Sequence, residues 1–101
     1  MEMRLERLGT TLVAKLNGEL DHSCAAESRE RLDKEISTGG MKNLVMDFDM
    51  VDFMDSSGIG LIMGRSKLMK QCGGSLEVRN PQPYIRRVLK LAGIERIVKI
   101  R

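Results

Sequence analysis

Two adjacent serines are the residues of this chain that are best suited to chemistry. Ser56 and Ser57 follow Asp55 in the segment DMVDFMDSSGIGLIMGR, which runs from Asp49 to Arg65. A serine between a strand and a helix lies beside free backbone N–H groups and the positive end of the helix dipole, where an anion is tolerated. The segment is therefore a candidate site for a modified or reactive serine.

Three glycines follow within the predicted helix, and each disfavours a helix interior by about 1 kcal/mol relative to alanine. Gly58 is predicted to leave the adjoining hydroxyl unobstructed. Gly60 and Gly64 are predicted to let another surface, or the underlying sheet, approach the helix backbone closely. The alternative is that Ser56 merely caps the helix and that the glycines merely permit packing between helix and sheet.

Acidic residues are expected around the serines. Asp49, Asp52 and Asp55 are predicted to crowd a loop at the carboxyl end of the preceding strand. Asp21 belongs to a second loop, where it or Ser23 is expected to cap the first helix. For Asp21, a role as a helix cap and a role at the serine site both stay open.

Five predicted strands and three predicted helices alternate along the chain and position these residues. Apolar alternation indicates strands, apolar residues every three or four positions indicate helices, and glycines end the helices. The predicted strands are Met3–Leu8, Thr11–Leu16, Asn43–Phe48, Ser75–Val78 and Ile97–Ile100. The predicted helices run from Ser23 to Thr38, from Ser57 to Gln71, and from the pair Asn80 and Pro81 to Gly93. The order β-β-α-β-α-β-α-β predicts an α/β fold with helices covering a mixed sheet.

The composition fits one domain spanning residues 1–101. The chain is 42% hydrophobic, and at this length it can build a single core. Its apolar runs are far shorter than the ~20 residues that cross a bilayer, so no membrane partner is predicted. Cys24 and Cys72 are expected to be free thiols in the cytoplasm. Together with His22 they are too few for a closed zinc site, so neither a metal nor a cofactor is predicted.

The charge is unevenly distributed. The net charge is +3, and the segment from Arg79 to Arg101 holds seven basic side chains and one acidic one. A nucleic-acid surface would be expected to add stacking aromatic residues or a helix-turn-helix pattern, and the chain has only three aromatic residues. No direct nucleic-acid partner is predicted.

Two motifs resemble a known family. The segment MDSSGIG at Met54–Gly60 and the segment NGELDHSCAAE at Asn17–Glu27 are similar to those of the anti-sigma factor antagonists, whose domain is called STAS. The resemblance covers essentially the whole chain and is nearest to the sporulation antagonist that acts on sigma factor F. It implies a single STAS-like α/β domain.

The resemblance also implies a switch rather than an enzyme. In the family, a serine kinase that resembles histidine kinases is the anti-sigma factor, and it phosphorylates the serine that corresponds to Ser57. The unphosphorylated antagonist binds this kinase and releases the sigma factor, phosphorylation ends the binding, and a serine phosphatase restores it. Ser56 is then the neighbour and cap of the phosphorylated residue. Asp21 and Asp55 match acidic positions that line the site.

Two other functions stay open at this point. One is a STAS binding module of another signalling circuit, such as the general stress response, with or without phosphorylation. The other is an enzyme with Ser57 as its nucleophile, but the hydrolase elbow requires Gly-x-Ser-x-Gly and a histidine further along the chain. The single histidine, His22, precedes the serines, so this pattern argues against the enzyme.

Overall fold

Segments in which apolar and polar residues alternate form a five-stranded sheet. Along the chain, helices connect the strands from the second strand onward. A computed structural model describes residues 1–101. The strands are β1 (Glu2–Leu8), β2 (Thr11–Leu20), β3 (Asn43–Met54), β4 (Ser75–Arg79) and β5 (Lys99–Ile100). The helices are α1 (His22–Ser37), α2 (Ser56–Gln71) and α3 (Pro83–Leu91), with a short 3-10 helix at Ile94–Arg96. The predicted order of elements is confirmed.

The sheet is mixed, as predicted. Its strands follow one another in the order β1-β2-β3-β4-β5. β1 and β2 are antiparallel and are joined by a tight turn, in which Gly9 adopts the left-handed backbone conformation (φ +62°) that glycine favours. The other neighbouring pairs are parallel, and each of their connections contains a helix.

One core joins the sheet to the helices. Leu12 lies opposite Leu44 and Leu44 lies opposite Leu76, so these three side chains share one face of the sheet. All three are buried in the cluster that also contains the buried apolar residues of the three α-helices. None of the helices combines the length and the apolar character needed to cross a membrane.

The strand that leads to the serines is longer than predicted. The sequence predicts that it ends at Phe48 and that a loop with three aspartates follows, but β3 continues to Met54. The loop prediction is therefore wrong for Asp49 and Asp52, which are exposed strand residues. Asp55 alone lies beyond the strand.

β2 extends in the same way and ends at Leu20 rather than at Leu16. The two extensions pair with each other through two shifts of register, and near one of them Gly18 takes a φ of +108°. Such irregularities break the alternation of buried and exposed residues. The extended parts therefore lack the sequence pattern of a strand.

The start of α3 is also wrong in the prediction. The helix begins at Pro83 with Gln82 as its N-cap, rather than at Asn80 and Pro81. Asn80 adopts a left-handed conformation (φ 59°), and its N–H donates to the carbonyl of Arg101 at 3.0 Å. The rule that proline opens helices holds, but the second of two prolines fulfils it.

The last strand is shorter than the predicted Ile97–Ile100. The backbone N–H groups of Ile97 and Val98 both donate to the carbonyl of Ile94 at 3.0 Å. Because these groups complete the 3-10 turn, only Lys99 and Ile100 pair with β4.

Candidate functional site

The starts of α1 and α2 meet at one edge of the sheet. Leu20 and Met54, the last residues of the parallel strands β2 and β3, lie opposite each other. The backbone N–H of Asp55 donates to the carbonyl of Leu20 at 3.3 Å, which extends this pairing by one residue. The segment containing the two serines and the segment containing Asp21 are therefore brought together, as the sequence suggests.

α1 and α2 each begin with an aspartate as the N-cap. The carboxylate of Asp21 accepts from the backbone N–H of Ser23 at 3.0 Å, and that of Asp55 accepts from the N–H of Ser57 at 2.8 Å. Ser56 is the first residue of α2, so the prediction that it caps the helix is wrong. The preceding aspartate has the extended backbone that a cap requires.

Asp55 also links the two helices. Its second carboxylate oxygen accepts from the backbone N–H of His22, the first residue of α1, at 3.3 Å. The Nδ1 atom of His22 lies 3.8 Å from the same oxygen, and its side chain is 86% exposed. One carboxylate thus satisfies a free N–H at the start of each helix and fixes the two starts relative to each other.

Hydrogen bonds keep both carboxylates ionised. The backbone N–H of Ser57 is the largest cause that lowers the pKa of Asp55 below its ordinary 3.8. The hydroxyl of Ser23, 2.6 Å from the carboxylate of Asp21, is the largest cause that lowers the pKa of Asp21. The negative charge of Asp21 acts in the opposite direction on the pKa of Asp55 and is the smallest of the causes. Any further negative charge here would meet both of them.

The two serines differ in their surroundings. Ser56 is exposed, whereas Ser57 is half-buried and lines a groove of about 480 Å³ between α1 and α2. The groove is lined by small residues along its length and by basic residues at one end. Its lining residues are His22, Ala25, Ala26, Arg29, Ser57, Gly60, Leu61, Gly64 and Arg65.

The three glycines of α2 occupy different environments. Gly58 is buried, and a Cβ atom built on it would collide with the side chain of Met54 and lie 3.2 Å from Cδ2 of Leu20. Its role is therefore close packing on the sheet, rather than the predicted exposure of the hydroxyl. Cβ atoms built on Gly60 and Gly64 would meet nothing within 4 Å, so the sheet does not approach them.

Comparison with known proteins identifies the family. Residues 2–101 match the STAS domain. The chain belongs to the STAS domain family. The resemblance carried by the two motifs is thereby confirmed over nearly the whole chain.

The relatives of this STAS domain carry names from sigma factor regulation. The chain is 34% identical over 100 residues to the anti-sigma F factor antagonist of Paenibacillus polymyxa, covering 99% of this chain and 86% of the relative. It is 32% identical over 83 residues to the anti-sigma-B factor antagonist of Bacillus subtilis (strain 168), covering 82% of this chain and 74% of the relative. The similarity to anti-sigma factor antagonists is confirmed. The names of the two relatives refer to different sigma factors, F and B.

Solved structures of the antagonist SpoIIAA share the fold. The unphosphorylated form superimposes with a TM-score of 0.88 at 31% identity, covering 99% of this chain and 88% of that one. The phosphorylated form from Bacillus gives a TM-score of 0.80 at 31% identity, covering 99% of this chain and 91% of that one. The STAS architecture expected from the sequence is thus confirmed.

Sequence reasoning missed the basic end of the groove. Arg29 and Arg65 line it together with residues of the serine loop, although neither was assigned to the site from the sequence. His22, Ala25, Ala26 and Arg29 recur at helical spacing on one face of α1, and this pattern could have indicated the groove wall. No group of three or more His, Cys, Asp or Glu side chains in this STAS domain is placed to hold a metal ion.

Proposed function

We propose that this STAS domain is an anti-sigma factor antagonist whose binding to its anti-sigma factor is switched off by phosphorylation of Ser57. The observation that carries the proposal is the position of Ser57, which lines a groove and whose backbone N–H donates to Asp55, the aspartate that links the starts of α1 and α2. The printed names of the relatives and the existence of both a phosphorylated and an unphosphorylated SpoIIAA structure support it.

The phosphoryl group comes from the partner. Ser57 has no histidine base aligned on it, and the chain contains no phosphate-binding loop with a lysine. The family resemblance implies that the anti-sigma factor is a serine kinase of the histidine-kinase-like type, and in this proposal it supplies ATP, the metal ion and the base. A bond forms between Ser57 Oγ and the γ-phosphorus, the bond from that phosphorus to the β-phosphate oxygen breaks, and ADP leaves. The hydroxyl proton passes to a base of the kinase, and a serine phosphatase later removes the phosphate.

The switch is electrostatic. Phosphoserine carries about −1.5 to −2 charges at neutral pH. At Ser57 this charge would join those of Asp21 and Asp55, which are ionised at neutral pH and whose pKa hydrogen bonds lower further. The docking face then repels an acidic partner surface, and the kinase dissociates. The two helix dipoles offset part of the repulsion within the domain, so the fold is kept.

The protein acts by binding, with no reaction of its own. A cytoplasmic location, where such a kinase and phosphatase would be met, stays a prediction. The second candidate is a STAS module of another circuit, which the similarity to an anti-sigma-B factor antagonist favours. The kinase that binds the chain with the higher affinity decides between the circuits.

The first experiment measures intact mass after incubation with ATP, magnesium and the histidine-kinase-like protein encoded with this chain. Wild type and Ser56→Ala should each gain one phosphate, and Ser57→Ala should gain none. A phosphate on Ser57→Ala but not on Ser56→Ala would move the site to Ser56. A stable complex without any phosphate would leave a binding module that this loop does not regulate by phosphorylation.

The thermal midpoint tests whether the switch is local. Phosphorylated and unmodified protein should unfold within a few degrees of each other, because the helix starts and the core stay intact. We expect affinity for the kinase to change by orders of magnitude in the same samples. A gross loss of folded structure on phosphorylation would contradict the electrostatic mechanism.

A further inference from the structure

Two glycines of α2 serve no packing need of this chain. Gly60 and Gly64 lie in the helix interior with ordinary backbone angles, since neither has a positive φ. Cβ atoms built on them would meet nothing within 4 Å, unlike the one built on Gly58. Glycine disfavours a helix relative to alanine, so the fold by itself gives no reason for these two residues.

Both glycines lie in the wall of the groove that contains Ser57. The facing wall on α1 contributes two more small residues, Ala25 and Ala26. The backbones of α1 and α2 are therefore accessible along the groove. A partner could approach these two backbones more closely than it could approach the backbone of a helix that carries larger side chains.

The far end of the groove is basic, because Arg29 and Arg65 line it. The side chain of Arg65 is 9% exposed, and its Nε lies 2.8 Å from Oδ1 of Asp33. The two atoms are buried and form an ion pair that lacks the geometry of a regular hydrogen bond. Arg29 lines the same end, is exposed and forms no ion pair within the chain. With one aspartate for two arginines, this end retains a positive charge.

We infer that the groove between α1 and α2 receives a protruding segment of the anti-sigma factor kinase that carries a carboxylate. Gly60 and Gly64 form the wall of the groove that the segment contacts, and the exposed Arg29, with Arg65 beside it, binds the carboxylate. The segment lies beside Ser57 at its other end, so docking there positions the hydroxyl for the kinase. This inference rests on the function proposed above and adds the surface that the partner uses.

An acidic partner follows from charge complementarity. The exposed Arg29 presents a guanidinium group, which matches a carboxylate in geometry and charge, and the buried Arg65 adds positive charge beside it. The same carboxylate-bearing segment would be repelled by a phosphate on Ser57. The groove thereby explains why one modification could release the whole segment.

Gly60→Ala and Gly64→Ala separate the needs of the partner from those of the fold. Each should raise the thermal midpoint by roughly 4–8 °C, because alanine favours the helix and its methyl group meets open space. Each should also lower the affinity of the unmodified chain for the kinase tenfold or more, measured by calorimetry without ATP. Lys67→Ala, on an exposed position of α2 outside the groove, is the matched control and should bind like wild type.

Two outcomes of the glycine experiment would overturn the inference. A lowered midpoint would mean that the fold needs these glycines. A raised midpoint with wild-type affinity would mean that no partner approaches them. A merely structural role cannot produce the expected combination of higher stability and weaker binding.

Arg29→Ala tests the basic end independently. We expect at least a fivefold loss of affinity and an unchanged thermal midpoint, because Arg29 is exposed and has no ion pair to lose. Arg29→Lys should recover part of the affinity, and Arg31→Ala, exposed on α1 and outside the groove, should have no effect. If Arg29→Ala binds the kinase with wild-type affinity, Arg29 does not bind a carboxylate of the partner, and the inference is overturned.

The two proposals fail in distinguishable ways. If wild type binds the kinase but is not phosphorylated at Ser57, the switch fails while the affinities of the groove variants still decide the docking surface. If wild type is phosphorylated at Ser57 and the groove variants bind normally, the switch stands and the docking surface is wrong. A wild-type chain that the kinase does not bind at all overturns both.

Discussion

The starts of α1 and α2 differ from the start of α3 in how they are fixed. Asp21 and Asp55 each accept a hydrogen bond from the backbone of the helix they cap. Gln82 makes no such side-chain bond, and Pro83, which has no N–H to satisfy, opens α3 instead. Proline fixes only the local backbone, whereas a carboxylate also carries charge and can reach a second element. The two carboxylates lie at the helix starts beside Ser57, the serine proposed to be phosphorylated.

The links beyond each helix show the same contrast. Asp55 joins the first turns of α1 and α2 through the backbone of His22. α3 is tied to the sheet by the hydroxyl of Tyr84, which donates to the carbonyl of Asp52. Because Asp55 holds the starts of two helices, its substitution should lower the stability of the domain more than a substitution at the start of α3.

The largest effect on stability is expected from Gly58→Ala, where α2 packs on the end of β3. The new methyl group collides with Met54, so the free energy of unfolding should fall by about 1–3 kcal/mol. Urea denaturation measures it. In the double variant Gly58→Ala with Met54→Ala the two losses should be less than additive, because the shortened side chain makes room. Full additivity would contradict the collision.

Loss of the shared cap should have the next largest effect. Asp55→Ala removes the acceptor at the start of α2 and is expected to lower the free energy of unfolding by about 1 kcal/mol, and at most about 2 kcal/mol. Asp55→Asn keeps a good capping oxygen and should lose much less. Equal losses in the two variants, measured by urea denaturation, would assign the stabilisation to charge rather than to the cap.

Acid should weaken the carboxylate caps. The pKa of Asp21 and of Asp55 is lower in the folded protein than the ordinary 3.8, so their stabilising contribution is complete above that value. It is lost as the pH falls through the still lower folded pKa values. Wild type should therefore lose more stability than the Asp21→Asn, Asp55→Asn double variant between neutral pH and about pH 3. Parallel losses in urea denaturation would refute this pH dependence.

The smallest effect is expected at the start of α3. Gln82→Ala removes a side chain that makes no capping bond, so the free energy of unfolding should change by no more than about 0.5 kcal/mol. Asp55→Ala, measured in the same urea series, is the comparison. A loss at Gln82 as large as that at Asp55 would end the distinction between the two kinds of helix start.

Much of the fold could be predicted from the sequence. The periodicity of apolar residues, the glycines that end the helices and the turn at Gly9 predict the order of all eight main elements and the mixed sheet. These signals are local, since each depends on residues within a few positions of one another. Boundaries failed where pairing between distant segments overrode them, as at Asp49 and Asp52 in the extension of β3.

The sequence by itself singled out the motifs of the candidate site. The segments with Asp21 and with Asp55, Ser56 and Ser57 stand out by residue type and spacing, and the parallel pairing of β2 and β3 then brings them to one edge of the sheet. Their motifs also carried the resemblance to the STAS family, which the comparisons confirm. The types and the order of the residues suffice to recognise these motifs, because a motif is a property of the sequence and needs no tertiary contact.

Only the tertiary structure decided what the individual residues touch. It assigned the cap of α2 to Asp55 instead of Ser56, separated the packed Gly58 from the open Gly60 and Gly64, and brought α1 and α2 together as a groove. The sequence of a helix does not show whether a neighbouring side chain fills the space next to a glycine or leaves it open. That space depends on how two helices are seated on the sheet, and only long-range packing sets it.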